Sequence, residues 1–132
     1  MISIVIPTWN EEKYLPKLLD SIKKQSYKNY EIIVSDANSK DKTRQIAKKY
    51  GCRVVKGGMP GIGRNNGAKA AKGNLLLFLD ADVQFDKDFL KKALNEINER
   101  EIDIAGVFIH PLTDKLIDKI YLKIFNSCTF IT

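Results

Sequence analysis

Hydrophobic positions along this chain recur with two periods, and the switches between the periods mark ten elements. Residues 2–6 form a short β-branched run closed by Pro7, which predicts a first strand. Leu15, Leu18, Leu19 and Ile22 then recur at helical spacing. Asn10 is placed to cap that helix, Glu11 and Glu12 suit its positive end, and Pro16 must lie early, so the regular part starts near Tyr14. Residues 30–35 predict a second strand that ends at Asp36, and Asp41 is placed to cap a helix running to Tyr50 and stopped by Gly51. Ile46, Ala47 and Tyr50 would be the buried stripe of that helix. Residues 53–55 predict a short third strand. A glycine-rich loop from residue 57 follows, becoming a helix over 63–71 whose Ala68, Ala70 and Ala71 would let it sit close to a sheet. Leu75 to Leu79 is five apolar residues in a row, bounded by Gly73 and by Asp80 and Asp82, and reads as a strand buried on both faces. A helix over 86–100 with Leu90, Ala93, Leu94 and Ile97 inward, a strand over 102–109 and an amphipathic segment over 113–125 complete the chain.

Strict alternation of strand and helix implies right-handed crossovers and a mainly parallel sheet covered by helices, an α/β fold of three layers. The expected organisation is one domain over residues 1–132, with a core over 1–110 and an amphipathic C-terminal part over 111–132. Ligands of such sheets bind outside the carboxyl ends of the strands. Pro7-Thr8, Asp36 and Asp80-Ala81-Asp82 end three different strands on that one edge. In an extended chain Asp80 and Asp82 would also project to the same side. Two acids held together need compensation: a divalent cation, a basic partner or a raised pKa. Hard oxygen ligands at an open edge suit magnesium or manganese shared with a phosphate, although an isolated Asp-x-Asp is also a common surface turn.

Charge and composition narrow the partners. Lys plus Arg number 22 against 16 acids, a net charge of +6, which favours an anionic partner: a phosphate ligand, a membrane surface or nucleic acid. No basic stripe with interleaved aromatic residues is present, which argues against nucleic acid. Cys52 and Cys128 have no metal-ligand spacing and read as thiols of a reducing compartment. Met1 leads straight into a strand pattern rather than a signal peptide, and no apolar run approaches the roughly 20 residues that span a bilayer.

The edge chemistry excludes two nucleotide-binding classes. An acid ending the second strand binds ribose in dinucleotide enzymes, but these need Gly-x-Gly-x-x-Gly in the first strand-to-helix turn. Here that turn is Pro7-Thr8-Trp9-Asn10-Glu11-Glu12, with no glycine and two acids that would repel a pyrophosphate. The glycines at 57–63 follow the third strand instead, and the Walker pattern is absent. Phosphate bound here must be carried by a metal at Asp80 and Asp82 and by a cation such as Arg64.

Four stretches together carry a resemblance: Pro7-Thr8-Trp9-Asn10-Glu11-Glu12; residues 34–43 (Val-Ser-Asp-Ala-Asn-Ser-Lys-Asp-Lys-Thr); Arg64-Asn65 with Gly67, Ala71 and Gly73; and Leu79-Asp80-Ala81-Asp82. In order and spacing they resemble the family 2 glycosyltransferases, which have the GT-A nucleotide-diphospho-sugar-binding fold, over about the first 110 residues. One departure is that many members have Asp-Asp-Gly-Ser where this chain has Asp36-Ala37-Asn38-Ser39. The resemblance implies a UDP- or GDP-linked sugar donor. Pro7 and Thr8 would line base and ribose, Glu11 would lie near the ribose, Asp36 would accept from the base, and Arg64 would approach base or diphosphate. Asp80 would face the ribose hydroxyls, and Asp82, with Asp80, would hold Mn2+ or Mg2+. It also implies inverting transfer, with a general base well downstream of Asp82 and outside this chain. Asp114, Asp118 and His110 are not assigned that role; the first two alternate with lysines and read as solvated. The acceptor is left open, a lipid-linked saccharide or a polysaccharide. The expected location is cytoplasmic, at the inner membrane surface, with the C-terminal segment either docked on the sheet or lying against anionic lipid. A non-catalytic nucleotide-sugar-binding module is the alternative.

Overall fold

The computed structural model describes residues 1–101 and 103. Four strands and four helices alternate among them: β1 (Ile2–Thr8), α1 (Leu15–Lys23), β2 (Tyr30–Asp36), α2 (Thr43–Lys49), β3 (Arg53–Lys56), α3 (Pro60–Ala70), β4 (Leu75–Phe78) and α4 (Phe89–Arg100). The strand predicted over 102–109 and the amphipathic segment over 113–125 lie outside the described residues. The chain divides into two compact units, Met1–Ala93 and Leu94–Thr132, and the four described strands lie in the first. Among the described residues no helix is long and apolar enough to cross a membrane.

All strand pairs are parallel, in the order β3-β2-β1-β4. The steps from β1 to β2 to β3 run one way and the step from β3 to β4 returns. Right-handed crossovers therefore put α1 and α2 on one face and α3 on the other. Residue parity then decides which face each side chain meets. Ile4 and Ile6 point to the α1 side, where Leu15, Leu18, Leu19 and Ile22 are also fully buried. Each such side chain contributes about 1.5–3 kcal/mol of burial. Val5 and Ile33 point to α3.

Several expectations change. Asn10 does not cap α1: it takes a left-handed φ of 55°, and Tyr14 stands at the cap position with Pro16 in the first turn. The glycine-rich stretch is helical from Pro60, because proline suits the first helical position, where no N–H is needed. The close approach of α3 to the sheet comes from Gly63 and Gly67 rather than from the alanines. A Cβ on Gly63 would lie 3.2 Å from Pro7 Cβ, and one on Gly67 would fall inside the envelope of Val5 Cγ1. Finally, β4 is not covered on both faces among the described residues: Leu76 and Phe78 are 41% and 42% exposed. They share a parity with Val5 on the α3 side, but α3 packs over β1, β2 and β3 and stops short of β4.

Two polar anchors fix the remaining connections. Gln25 is fully buried; its amide donates to the carbonyls of Ser21 and Asp86 and accepts from Leu90 N–H at 3.0 Å, tying the start of α4 to the end of α1. At the opposite edge from the candidate site, Glu31 accepts from Ser3 Oγ and Lys72 N–H, both at 2.6 Å. The Ser3 hydrogen bond is the largest influence; burial pushes the other way, but with the Lys72 and Gly73 backbone donors added the carboxyl is held below its ordinary value.

Candidate functional site

At the carboxyl ends of β1 and β4 the chain encloses an open cleft of about 740 Å³. Pro7, Thr8, Glu11, Arg64, Asp80 and Asp82 all line it. Each arrives by a different local route. Pro7 and Thr8 end β1, and Glu11 sits in the following turn. Arg64 is in the second turn of α3. β4 ends at Phe78, so the two aspartates are not held by an extended strand: Ala81 and Asp82 form a turn in which Val83 N–H reaches Asp80 O at 3.4 Å. That turn, not the i, i+2 rule, delivers both carboxylates to the cleft. Arg64 Nη2 donates to Asp80 Oδ1 at 2.7 Å.

Asp36 stands apart. It pairs with Thr8 in the β1–β2 register and points to the α1–α2 side, whereas Asp80 meets Arg64 on the α3 side. Asp36 is 5% exposed and does not line the cleft. Its Oδ1 accepts from Thr8 Oγ1 at 2.9 Å and Ser39 Oγ at 2.6 Å, and its Oδ2 accepts from Ser39 N–H at 2.9 Å with Arg44 Nε at 3.7 Å. Of about four acceptor positions on a carboxylate, three are thus used. Asp36→Ala is expected to cost about 2–4 kcal/mol in urea unfolding, because it strands three donors in a buried place. Asp36→Asn, which keeps one oxygen, costs less.

Beyond Asp36, the two loops of this edge are stitched together. Ser39 Oγ accepts from Asn10 N–H, Thr43 Oγ1 from Glu11 N–H and Asp41 Oδ2 from Glu12 N–H, at 2.9, 2.8 and 3.1 Å. In return Lys40 N–H donates to Asn10 Oδ1 and Lys42 N–H to Glu12 Oε2. Burial pushes the Asp41 carboxyl up, but the donors from Thr43 and Glu12 outweigh it and hold the group below its ordinary value. These contacts explain why Ser39, Asp41 and Thr43 belong to the same motif as Asp36: they place the turn that carries Glu11. One half of the Ala37-Asn38 departure has a backbone reason. Asn38 has φ 59°, a left-handed conformation that glycine or asparagine adopts most easily.

The cleft is acidic where Glu11, Asp80 and Asp82 line it. Burial raises the Glu11 carboxyl above its ordinary value, and the charges of Asp82, Asp41 and Asp80 raise it further. Among the described residues no group of three or more His, Cys, Asp or Glu forms a self-contained metal cage. Two exposed carboxylates on an open cleft fit a divalent cation completed by ligand phosphates, as magnesium sites commonly are. Sequence reasoning missed the apolar rim. Trp9 and Met59 line the cleft and are 67% and 76% exposed. The signal for Trp9 was available: it is the one tryptophan in the chain and lies inside the first turn motif.

A parallel α/β sheet with an arginine and paired carboxylates converging at its carboxyl edge presents a polar cleft where ligands of such sheets bind. The chain belongs to glycosyl transferase family 2, whose model matches residues 3–123. Poly(ribitol-phosphate) beta-N-acetylglucosaminyltransferase TarS of Staphylococcus aureus is 37% identical over 112 residues, which cover 77% of this chain and 20% of that protein. The crystal structure of S. aureus TarS 1-349 in complex with UDP-GlcNAc superposes with a TM-score of 0.71 at 32% identity, over 86% of this chain and 38% of that one. Glucosyl-3-phosphoglycerate synthase from Mycobacterium tuberculosis, in complex with Mn2+, UDP and glucosyl-3-phosphoglycerate, gives 0.63 at 27% identity over 74% and 39%. The fold is therefore the GT-A fold of these transferases, and this chain spans about a fifth of the TarS relative's length.

Proposed function

We propose that this chain binds a UDP-sugar in the cleft and serves as the donor half of a metal-dependent, inverting glycosyltransferase. The observation that carries the reading is the convergence of Arg64, Asp80 and Asp82 with Pro7-Thr8 in one cleft. Its support is membership of a transferase family and likeness to structures that hold UDP or UDP-GlcNAc. The same support favours a transferase over a binding module without activity.

In this reading Asp82, with Asp80, would hold Mn2+ or Mg2+. When bound, such an ion acts as a Lewis acid on the diphosphate leaving group. The chain's own residues do the rest. Arg64, now on Asp80, exchanges that surface partner for a phosphate oxygen, and a guanidinium is suited to two such oxygens at once. Asp80 turns to the ribose hydroxyls, with Glu11 beside them. Asp36, buried behind the cleft, acts through Thr8, which it holds in place. Trp9 presents an aromatic face at the rim. The acceptor hydroxyl, on a lipid-linked saccharide or polysaccharide, loses its proton to a carboxylate of the acceptor half. The buried free thiol of Cys52 supports a cytoplasmic setting.

Calorimetric titration tests the reading. With manganese present, UDP should bind at least tenfold more tightly than GDP, and removing manganese should weaken UDP strongly. A folded chain that binds neither nucleotide would refute the proposal.

A further inference from the structure

We propose that the outer face of the α1–α2 layer docks on an anionic lipid bilayer. The net charge of +6 is not spread over the chain. Residues 13–50 hold ten cations and four acids, whereas the other twelve cations are matched by twelve acids. The whole surplus thus lies in the segment that forms α1, β2 and α2. All ten cations are exposed, and nine are lysines. Three of the four acids are turned into the fold: Asp36 is buried, and Glu31 and Asp41 accept hydrogen bonds from Ser3 and Thr43. Only Asp20 is exposed, and it accepts from Tyr50 Oη at 2.9 Å. Among the described residues none of the nine lysines forms an ion pair with a carboxylate.

Topology gathers these lysines on one surface. α1 and α2 lie side by side on the same face of the sheet. Their C-terminal ends are joined by the Tyr50–Asp20 hydrogen bond and by Lys23 Nζ, 4.8 Å from the centre of the Tyr50 ring. Lys40 and Lys42 extend the set into the β2–α2 turn, where their N–H groups donate to Asn10 Oδ1 and Glu12 Oε2.

The side-chain chemistry selects a bilayer. Lysines act as hydrated point charges and respond to the summed potential of many headgroups. Recognition of single phosphates or of a nucleic acid strand uses forked arginines and stacking aromatic residues. The one arginine, Arg44, is engaged with Asp36 and the Ser39 carbonyl. Tyr14, half exposed at the start of α1 between Lys13 and Lys17, provides a ring of the kind that sits at headgroup level.

The test is flotation of the 132-residue chain with phosphatidylcholine vesicles, with and without phosphatidylglycerol. Binding is expected only with phosphatidylglycerol, and it should weaken more than about tenfold between roughly 0.1 M and 1 M salt as the screening length shortens. The combined Lys13→Gln, Lys17→Gln, Lys42→Gln and Lys48→Gln variant should lose about fivefold per lysine, so at least ~100-fold in all, with an unchanged melting temperature. The Lys115→Gln, Lys119→Gln and Lys123→Gln variant tests the C-terminal segment as the source of binding and should lose less than about fivefold. Equal binding to both vesicles, undiminished binding by the four-lysine variant, loss in the C-terminal variant instead, or capture of soluble polyphosphate without vesicle binding would each overturn the proposal.

Discussion

Asp82→Ala is expected to remove the manganese-dependent gain in UDP affinity while the chain stays folded. Asp82 is exposed in its turn, and no side-chain hydrogen bond or ion pair of Asp82 is found among the described residues, so the substitution should change stability by no more than about 0.5 kcal/mol. Its effect on binding works from both ends. Without metal, the cleft sets Asp80, Asp82 and Glu11 against a diphosphate, and removing one carboxylate relieves repulsion and slightly strengthens UDP. With manganese, the variant lacks a hard oxygen ligand, and a loss of about 100-fold or more in metal affinity is expected, since even outer-shell changes cost 10–100-fold. The ratio of UDP affinities with and without manganese should therefore collapse toward one. Calorimetry on both proteins gives that ratio directly, and an unchanged ratio in Asp82→Ala would place the cation elsewhere.

Gly67→Val is expected to cost about 4 kcal/mol or more, a large share of the 5–15 kcal/mol typical of a domain. Gly67 is buried in α3 where the helix crosses β1, and any Cβ there collides with Val5 Cγ1. Val5 is fully buried and β-branched, so it cannot swing aside, and α3 must lift from the sheet. Arg64 rides on the same helix and would be displaced with it. Gly61→Ala is the matched control. A Cβ at Gly61 meets nothing within 4 Å, so the change should be neutral or stabilise by up to about 1 kcal/mol through helix propensity. Urea unfolding should show a large loss in Gly67→Val and no loss in Gly61→Ala; similar losses in both would mean that α3 is generally intolerant rather than held by close approach at Gly67.

Much of this molecule is legible in one dimension. The β-branched run over residues 2–6, the helical spacing of Leu15, Leu18, Leu19 and Ile22, and the early place of Pro16 in α1 each act through local sterics and burial period. Five of the six residues assigned to the ligand, together with Asp82, reach one cleft for a reason that is also local. In a parallel sheet every strand ends on the same edge, so polar residues at strand ends converge.

What the pattern could not supply depends on parity and packing between distant segments. Asp36 and Asp80 both sit at that edge, but they meet opposite faces of the sheet, so one carboxylate holds Thr8 and Ser39 while the other meets Arg64. The apolar run of β4 implied cover on both sides, yet whether a face is covered depends on how far the neighbouring helix reaches. The glycines of α3 read as flexibility, although two of them are contact surfaces. The sequence by itself determined the alternation of elements, the parallel sheet and the polar edge, because those follow from periodicity and chain connectivity. Only the tertiary structure decided which carboxylates face the cleft, what Ser39, Asp41 and Thr43 are for, and that the lysines of two helices share one surface, because these depend on contacts between residues some 30 positions apart that no local pattern encodes.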